Sequence, residues 1–124
     1  MNPEDFKAIA SFTDTALRGR QLSSVEFVQD YLQIRFDGPC LTLTAWPRVV
    51  CDRNVVVFND PGYRDSICVL ITKLVSKVYF ANMHKTFVIE FDNQKALEIW
   101  LDDNAHLSPE TIKFDNADRG WWVI

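Results

Sequence analysis

Between Leu22 and Trp46 apolar and polar residues alternate with a period of two, which predicts three consecutive β-strands. If Gln29-Asp30 closes the first hairpin, Val28 lies opposite Tyr31, Phe27 opposite Leu32 and Val25 opposite Ile34. If Gly38-Pro39 closes the second, Phe36 meets Leu41, Ile34 meets Leu43 and Leu32 meets Ala45. Both turns gather the apolar side chains on one face and send Glu26, Gln33, Arg35, Thr42 and Thr44 to the other. A slip of one residue would exchange the two sets, so burial itself selects the register. Val28, Tyr31 and Trp46 break the pattern: they fall on the polar face at one end, as an apolar corner.

On either side of this meander the period changes to that of a helix. Asn2 can cap a helix that begins at Pro3, where the missing amide hydrogen is no loss, and Glu4 and Asp5 suit the positive end. Phe6, Ile9, Ala10, Thr13 and Leu17 continue that helix over about residues 3–18, with Gly19 able to close it. The stripe is narrow and leaves Phe12 aside, so the helix either leans on a sheet by one edge or meets a second subunit.

Pro47 after Trp46 ends or bends the third strand. Two short β-prone runs, 49–50 and 55–58, follow, split by a turn at 51–54. Beyond Asn59-Asp60-Pro61-Gly62, the spacing of Ile67, Leu70, Ile71 and Leu74 predicts an amphipathic helix over about 62–74. Cys68 and Val69 widen its apolar face, which should cross the apolar side of the meander.

A second meander is expected over about 75–101. With Asp92-Asn93-Gln94 as its odd-length loop, Phe87 and Ile89 align with Ile99 and Leu97, and Val88, Glu90, Glu98 and Trp100 share the back. Asp102-Asp103-Asn104 ends this meander, Ser108-Pro109-Glu110 makes a turn, and a hairpin over about 111–124 completes the chain. The order predicts an α+β domain with mostly antiparallel sheet, built from two meanders with an N-terminal helix and a central amphipathic helix packed on the sheet.

Composition fits one globular domain. Of 124 residues, 48% are apolar and 24% charged, far from the balance of a disordered chain. No apolar run approaches the roughly 20 residues that cross a bilayer, and the N-terminus is acidic where a secretory signal would be basic. A cytoplasmic protein with no membrane association is expected. The net charge of -4 with scattered basic residues argues against nucleic acid as a partner.

The common chemistries find little support. Cys40, Cys51 and Cys68 are too widely spaced for a zinc pair and read as reduced thiols, at least one of them in the core. His84 and His106 have no partner at metal-ligand spacing, and Asp102-Asp103-Asn104 lacks the alternation and glycine of a calcium loop. No nucleophile elbow is present, and four scattered glycines cannot form a phosphate loop. Glu90 and Glu98 share a face, but carboxylates on an outer sheet face are usually solvated. No catalytic residue, metal or cofactor is assigned. The segment Asn59 to Asp65 combines a helix start with Tyr63 and Arg64, a combination that can hold a small anion.

At Val25-Glu26-Phe27-Val28-Gln29-Asp30-Tyr31, Phe36-Asp37-Gly38-Pro39, Trp46-Pro47 and Gly62-Tyr63-Arg64-Asp65 the chain resembles a group of small bacterial domains without assigned activity. The likeness spans roughly residues 17–124. It implies a bacterial origin and supplies no functional residues.

Two functions remain in view. One is a non-enzymatic interaction domain, self-associating or binding a protein partner through Tyr31, Trp46 and Trp100. The other is a binder of small anionic molecules, or a minor enzyme, with its pocket at Tyr63 and Arg64 near the start of the central helix.

Overall fold

A computed structural model describes residues 2–101 and 111–124. The elements are α1 (Pro3–Leu17), β1 (Ser24–Phe27), β2 (Leu32–Arg35), β3 (Cys40–Leu43), β4 (Arg48–Cys51), β5 (Asn54–Val56) and α2 (Tyr63–Cys68). After them come β6 (Val75–Ala81), β7 (Thr86–Phe91), β8 (Lys95–Trp100), β9 (Ile112–Asp115), a 3-10 turn (Ala117–Arg119) and β10 (Trp121–Val123). Two five-stranded antiparallel sheets result, ordered β1-β2-β3-β9-β10 and β5-β4-β8-β7-β6. The protein is mostly β with few helices. The expected elements at Asp102-Asp103-Asn104 and Ser108-Pro109-Glu110, and His106, lie outside the described residues.

Each meander supplies three strands of a different sheet. The C-terminal hairpin completes the first sheet by pairing β9 with β3, and the short β4–β5 hairpin completes the second by pairing β4 with β8. Their inner faces meet in a common core that includes Leu32, Ile34, Phe36, Leu41, Leu43, Phe87, Ile89, Leu97, Ile99 and Phe114.

The first hairpin has the expected register, with Val25 opposite Ile34 and Phe27 opposite Leu32. The second is displaced by two residues. Its loop is Asp37-Gly38 rather than Gly38-Pro39, and Leu32 pairs with Leu43 and Ile34 with Leu41. Asp37 and Gly38 have φ of 56° and 129°. An Asp-Gly pair tolerates two successive positive φ values, as tight hairpin turns require, whereas the ring of Pro39 fixes φ negative. Pro39 instead offers its carbonyl to the Phe36 amide at 2.8 Å. An even displacement leaves every side chain on its expected face. Phe87 opposite Ile99 and Ile89 opposite Leu97 agree with the sequence reading of the second meander.

The central helix is shorter than its apolar spacing suggests. It ends at Cys68 rather than near residue 74, after six residues. Val69, Ile71 and Thr72 are β-branched and weak helix formers, and the backbone beyond them has other partners. Thr72, with φ of 82°, donates its amide to Leu22 O at 2.8 Å. Leu22 donates to Lys73 O at 3.0 Å, Val75 to Arg20 O at 2.9 Å and Gly19 to Val75 O at 2.8 Å. The segment before β1 is thus stitched to the segment before β6, and the two sheets join at that corner. Ile67 and Leu70 are buried, whereas Leu74, Val69 and Cys68 are exposed. Nor is either of the other cysteines fully buried: Cys40 and Cys51 are intermediate. Cys51 packs against the core from its edge, and no thiol lies fully within it.

The N-terminal helix begins as expected. Asn2 Oδ1 accepts from the Asp5 amide at 2.9 Å and Asp5 Oδ2 from the Asn2 amide at 3.1 Å, a reciprocal cap. Thr13 and Leu17 are its buried residues. Phe12, outside the apolar stripe, is occupied within the chain, edge-on to Phe114 at 6.0 Å. Trp122 Nε1 donates to Thr13 Oγ1 at 2.7 Å, and Asp14 Oδ1 accepts from the Val78 amide at 2.8 Å. The helix therefore spans the β10 rim of one sheet and the β6 rim of the other.

Candidate functional site

The aromatic corner expected at Val28, Tyr31 and Trp46 is largely taken up by the chain itself. Pro47 has no amide to give to a ladder, and β3 ends at Leu43, so the period-two rule no longer governs Trp46. Its indole stacks on Phe58 at 4.6 Å and 19°, and packs against the core. Phe58 in turn meets Tyr63 edge-on at 5.8 Å. Tyr31 is half-buried at the first hairpin.

Tyr63 and Arg64 stand in different surroundings. Tyr63 is 4% exposed, its hydroxyl donates to Pro47 O, and burial pushes its pKa far above the usual tyrosine value. Arg64 is exposed and lies over the Phe27 ring at 5.7 Å. Helix α2 starts from Gly62, whose φ is 81°, without a side-chain cap. Asp60 folds back instead, accepting from the Val57 amide at 2.9 Å.

Trp100 stands elsewhere, on the outer face of the second sheet. Strand alternation places Arg48 and Val50 of β4, Ala96, Glu98 and Trp100 of β8, Val88 and Glu90 of β7, and Lys77 and Tyr79 of β6 on this face. Arg48 lies opposite Glu98 and donates to Glu98 Oε1 at 2.6 Å. Its guanidinium carbon also sits 4.7 Å from the centre of the Trp100 ring, which is 39% exposed. The same residue thus fixes a carboxylate on one side and an indole on the other. Arg48 Nε is buried and finds no acceptor among the described residues.

A second pair lies across the face. Tyr79 donates to Glu90 Oε1 at 3.2 Å, and Lys77 Nζ stands 4.8 Å from the Tyr79 ring. Burial, followed by the Glu90 carboxylate, raises the Tyr79 pKa. Between the two pairs lie Val50, Ala96 and Val88; Val88 is only 2% exposed although it points outward. An open cleft of about 450 Å³ lies over it, bordered by Tyr79, Glu90 and Glu98.

Glu90 and Glu98 are therefore not simply solvated, since each has a donor on the sheet. Register within the second meander was sufficient to put Val88, Glu90, Glu98 and Trp100 together. Arg48 was missed because its pairing with Glu98 depends on β4 joining β8 across fifty residues of sequence. Among the described residues no three His, Cys, Asp or Glu side chains gather to hold a metal ion, and no helix is long and apolar enough to cross a membrane. No known protein family, curated protein or solved structure matches the chain.

Proposed function

We propose that this protein is a non-enzymatic cytoplasmic interaction domain that self-associates through the outer face of its second sheet. The observation that carries the reading is Trp100, a partly exposed indole held in place by Arg48, which is itself paired with Glu98. Trp, Tyr and Arg side chains dominate binding energy at protein interfaces, and here they are ordered before any partner arrives. Half-buried Val50 and Ala96 between them supply apolar area for a partner to cover.

A second copy is the occupant that the charges favour. The face carries both signs, Arg48 and Lys77 with Glu90 and Glu98, so a two-fold-related copy can set acids against bases. A partner of one strong charge would leave half of these groups opposed. Sedimentation equilibrium over a wide concentration range tests the proposal. The unaltered chain should form a dimer, and Trp100→Ala should dissociate it while keeping the thermal midpoint within a few degrees. A chain that stays monomeric, or a dimer indifferent to Trp100→Ala, would overturn it.

A further inference from the structure

A second concavity lies between the C-terminal half of α1 and the 3-10 turn that joins β9 to β10. It measures about 630 Å³, and three of the chain's seven arginines line it: Arg18, Arg20 and Arg119. Ser11, Thr15 and Asn116 add hydroxyl and amide donors, and no carboxylate side chain is among its lining residues. In a chain of net charge -4 this is a local reversal of sign.

The three guanidiniums differ in how their charge is compensated. Arg18 pairs with Asp14 at 3.0 Å and contributes least. Arg20 is fixed by backbone alone: its Nε donates to Ala16 O at 2.9 Å and one Nη to Asp37 O at 3.3 Å. Those carbonyls orient the fork without cancelling its charge, and the Ala16 contact also satisfies a carbonyl at the negative end of α1. Arg119 ends the 3-10 turn, exposed, with no side-chain partner among the described residues. Asp118 beside it and Asp37 below Arg20 are exposed, and neither side chain lines the cleft.

The walls are rigid where they need to be. Gly120 follows Arg119 with φ of 123°, and a Cβ there would come within 3.3 Å of the Phe12 ring. The turn is thereby pressed against α1, which holds Arg119 on the same cleft as Arg20. Phe12 and Ala16 give the cleft an apolar side.

The geometry points to a binding site for a small phosphate ester. Guanidinium forks match the oxygens of a phosphoryl group, and Ser11, Thr15 and Asn116 can donate to the remaining oxygens. The cleft has several times the room that a bare phosphate needs, so the organic part lies along Phe12 and Ala16. This site is separate from the face assigned to self-association and does not depend on that assignment.

Isothermal titration at fixed ionic strength, with adenosine monophosphate and glucose 6-phosphate set against adenosine and glucose, tests the proposal. At least one ester should bind and the uncharged compounds should not. Arg20→Gln and Arg119→Gln should each weaken binding about tenfold or more, the usual loss for one charge-assisted hydrogen-bond donor. Arg53→Gln, on the turn between β4 and β5, should change nothing. Arg119 is on an exposed turn, so its variant keeps the test decisive if Arg20→Gln disturbs folding. Absence of ester binding up to millimolar concentration, equal affinity for malonate, or indifference to both substitutions would overturn the assignment.

Discussion

The indole of Trp122 and the hydroxyl of Thr13 share a buried hydrogen bond of 2.7 Å across 109 residues of sequence. The hydroxyl passes the chain of bonds on by donating to Ile9 O at 2.7 Å. Both polar groups are satisfied inside the core, and the indole N–H depends on α1 being docked.

Thr13→Val keeps the shape of the side chain and removes its acceptor. The Trp122 N–H then stays buried without a partner, which should cost about 1–3 kcal/mol. Urea unfolding followed by tryptophan fluorescence reads this as a lower midpoint with an unchanged slope. An unchanged midpoint would show that the contact has no energetic role.

Asp14 seals the exposed rim of β6 through the Val78 amide. Asp14→Ala should destabilise the fold by about 1.5–3 kcal/mol, as expected for a hydrogen bond to a charged group. It should also open a strand edge to other chains. Asp14→Asn retains an acceptor oxygen and should lose less. Urea unfolding together with light scattering during mild heating separates the two effects: both variants lower the midpoint, but only the alanine variant should scatter early.

Gly38 occupies a backbone conformation with φ of 129° and has open space around its Cα. Gly38→Ala therefore tests conformation without steric contact and should cost about 1–2 kcal/mol. Thermal unfolding should place its midpoint below that of the parent chain. A neutral result would contradict the Asp37-Gly38 turn.

Alkaline pH should weaken the fold. Tyr63 is raised by burial, and Tyr79 by burial and then by Glu90, so both keep their protons longer in the folded state than in the unfolded one. Their contribution is complete below the ordinary tyrosine value of about 10 and is lost as pH rises through the raised folded values, because the unfolded chain ionises first. Unfolding free energy measured from pH 8 upward should fall past that point, and Tyr63→Phe should flatten the decline. A decline of the same slope in Tyr63→Phe would remove Tyr63 as its source.

Local signals in the sequence carried much of this architecture. Asn2-Pro3, the alternation around Ile34 and the odd loop at Asp92-Asn93-Gln94 each act over a few residues, and each led to the observed element. The failures have a common cause. Ile71 and Leu74 keep helical spacing, yet the backbone around them pairs with Gln21 and Leu22, some fifty residues away. Arg48 met Glu98, and Arg119 came to line the same cleft as Arg20, only through strand order and helix docking. Of the nominated residues, Trp100 lies on the candidate face, Tyr31 and Trp46 lie by the hairpin and the Phe58 stack, and Tyr63 supports the fold from within.

The stitch of residues 19–22 to residues 72–75 has a thermodynamic consequence. A sheet that opened alone would have to break four main-chain bonds at its own corner and strip the other sheet of its neighbour. The two halves should therefore melt as one cooperative unit, and the amides of Leu22, Thr72 and Val75 should exchange with solvent deuterium only when the whole chain opens.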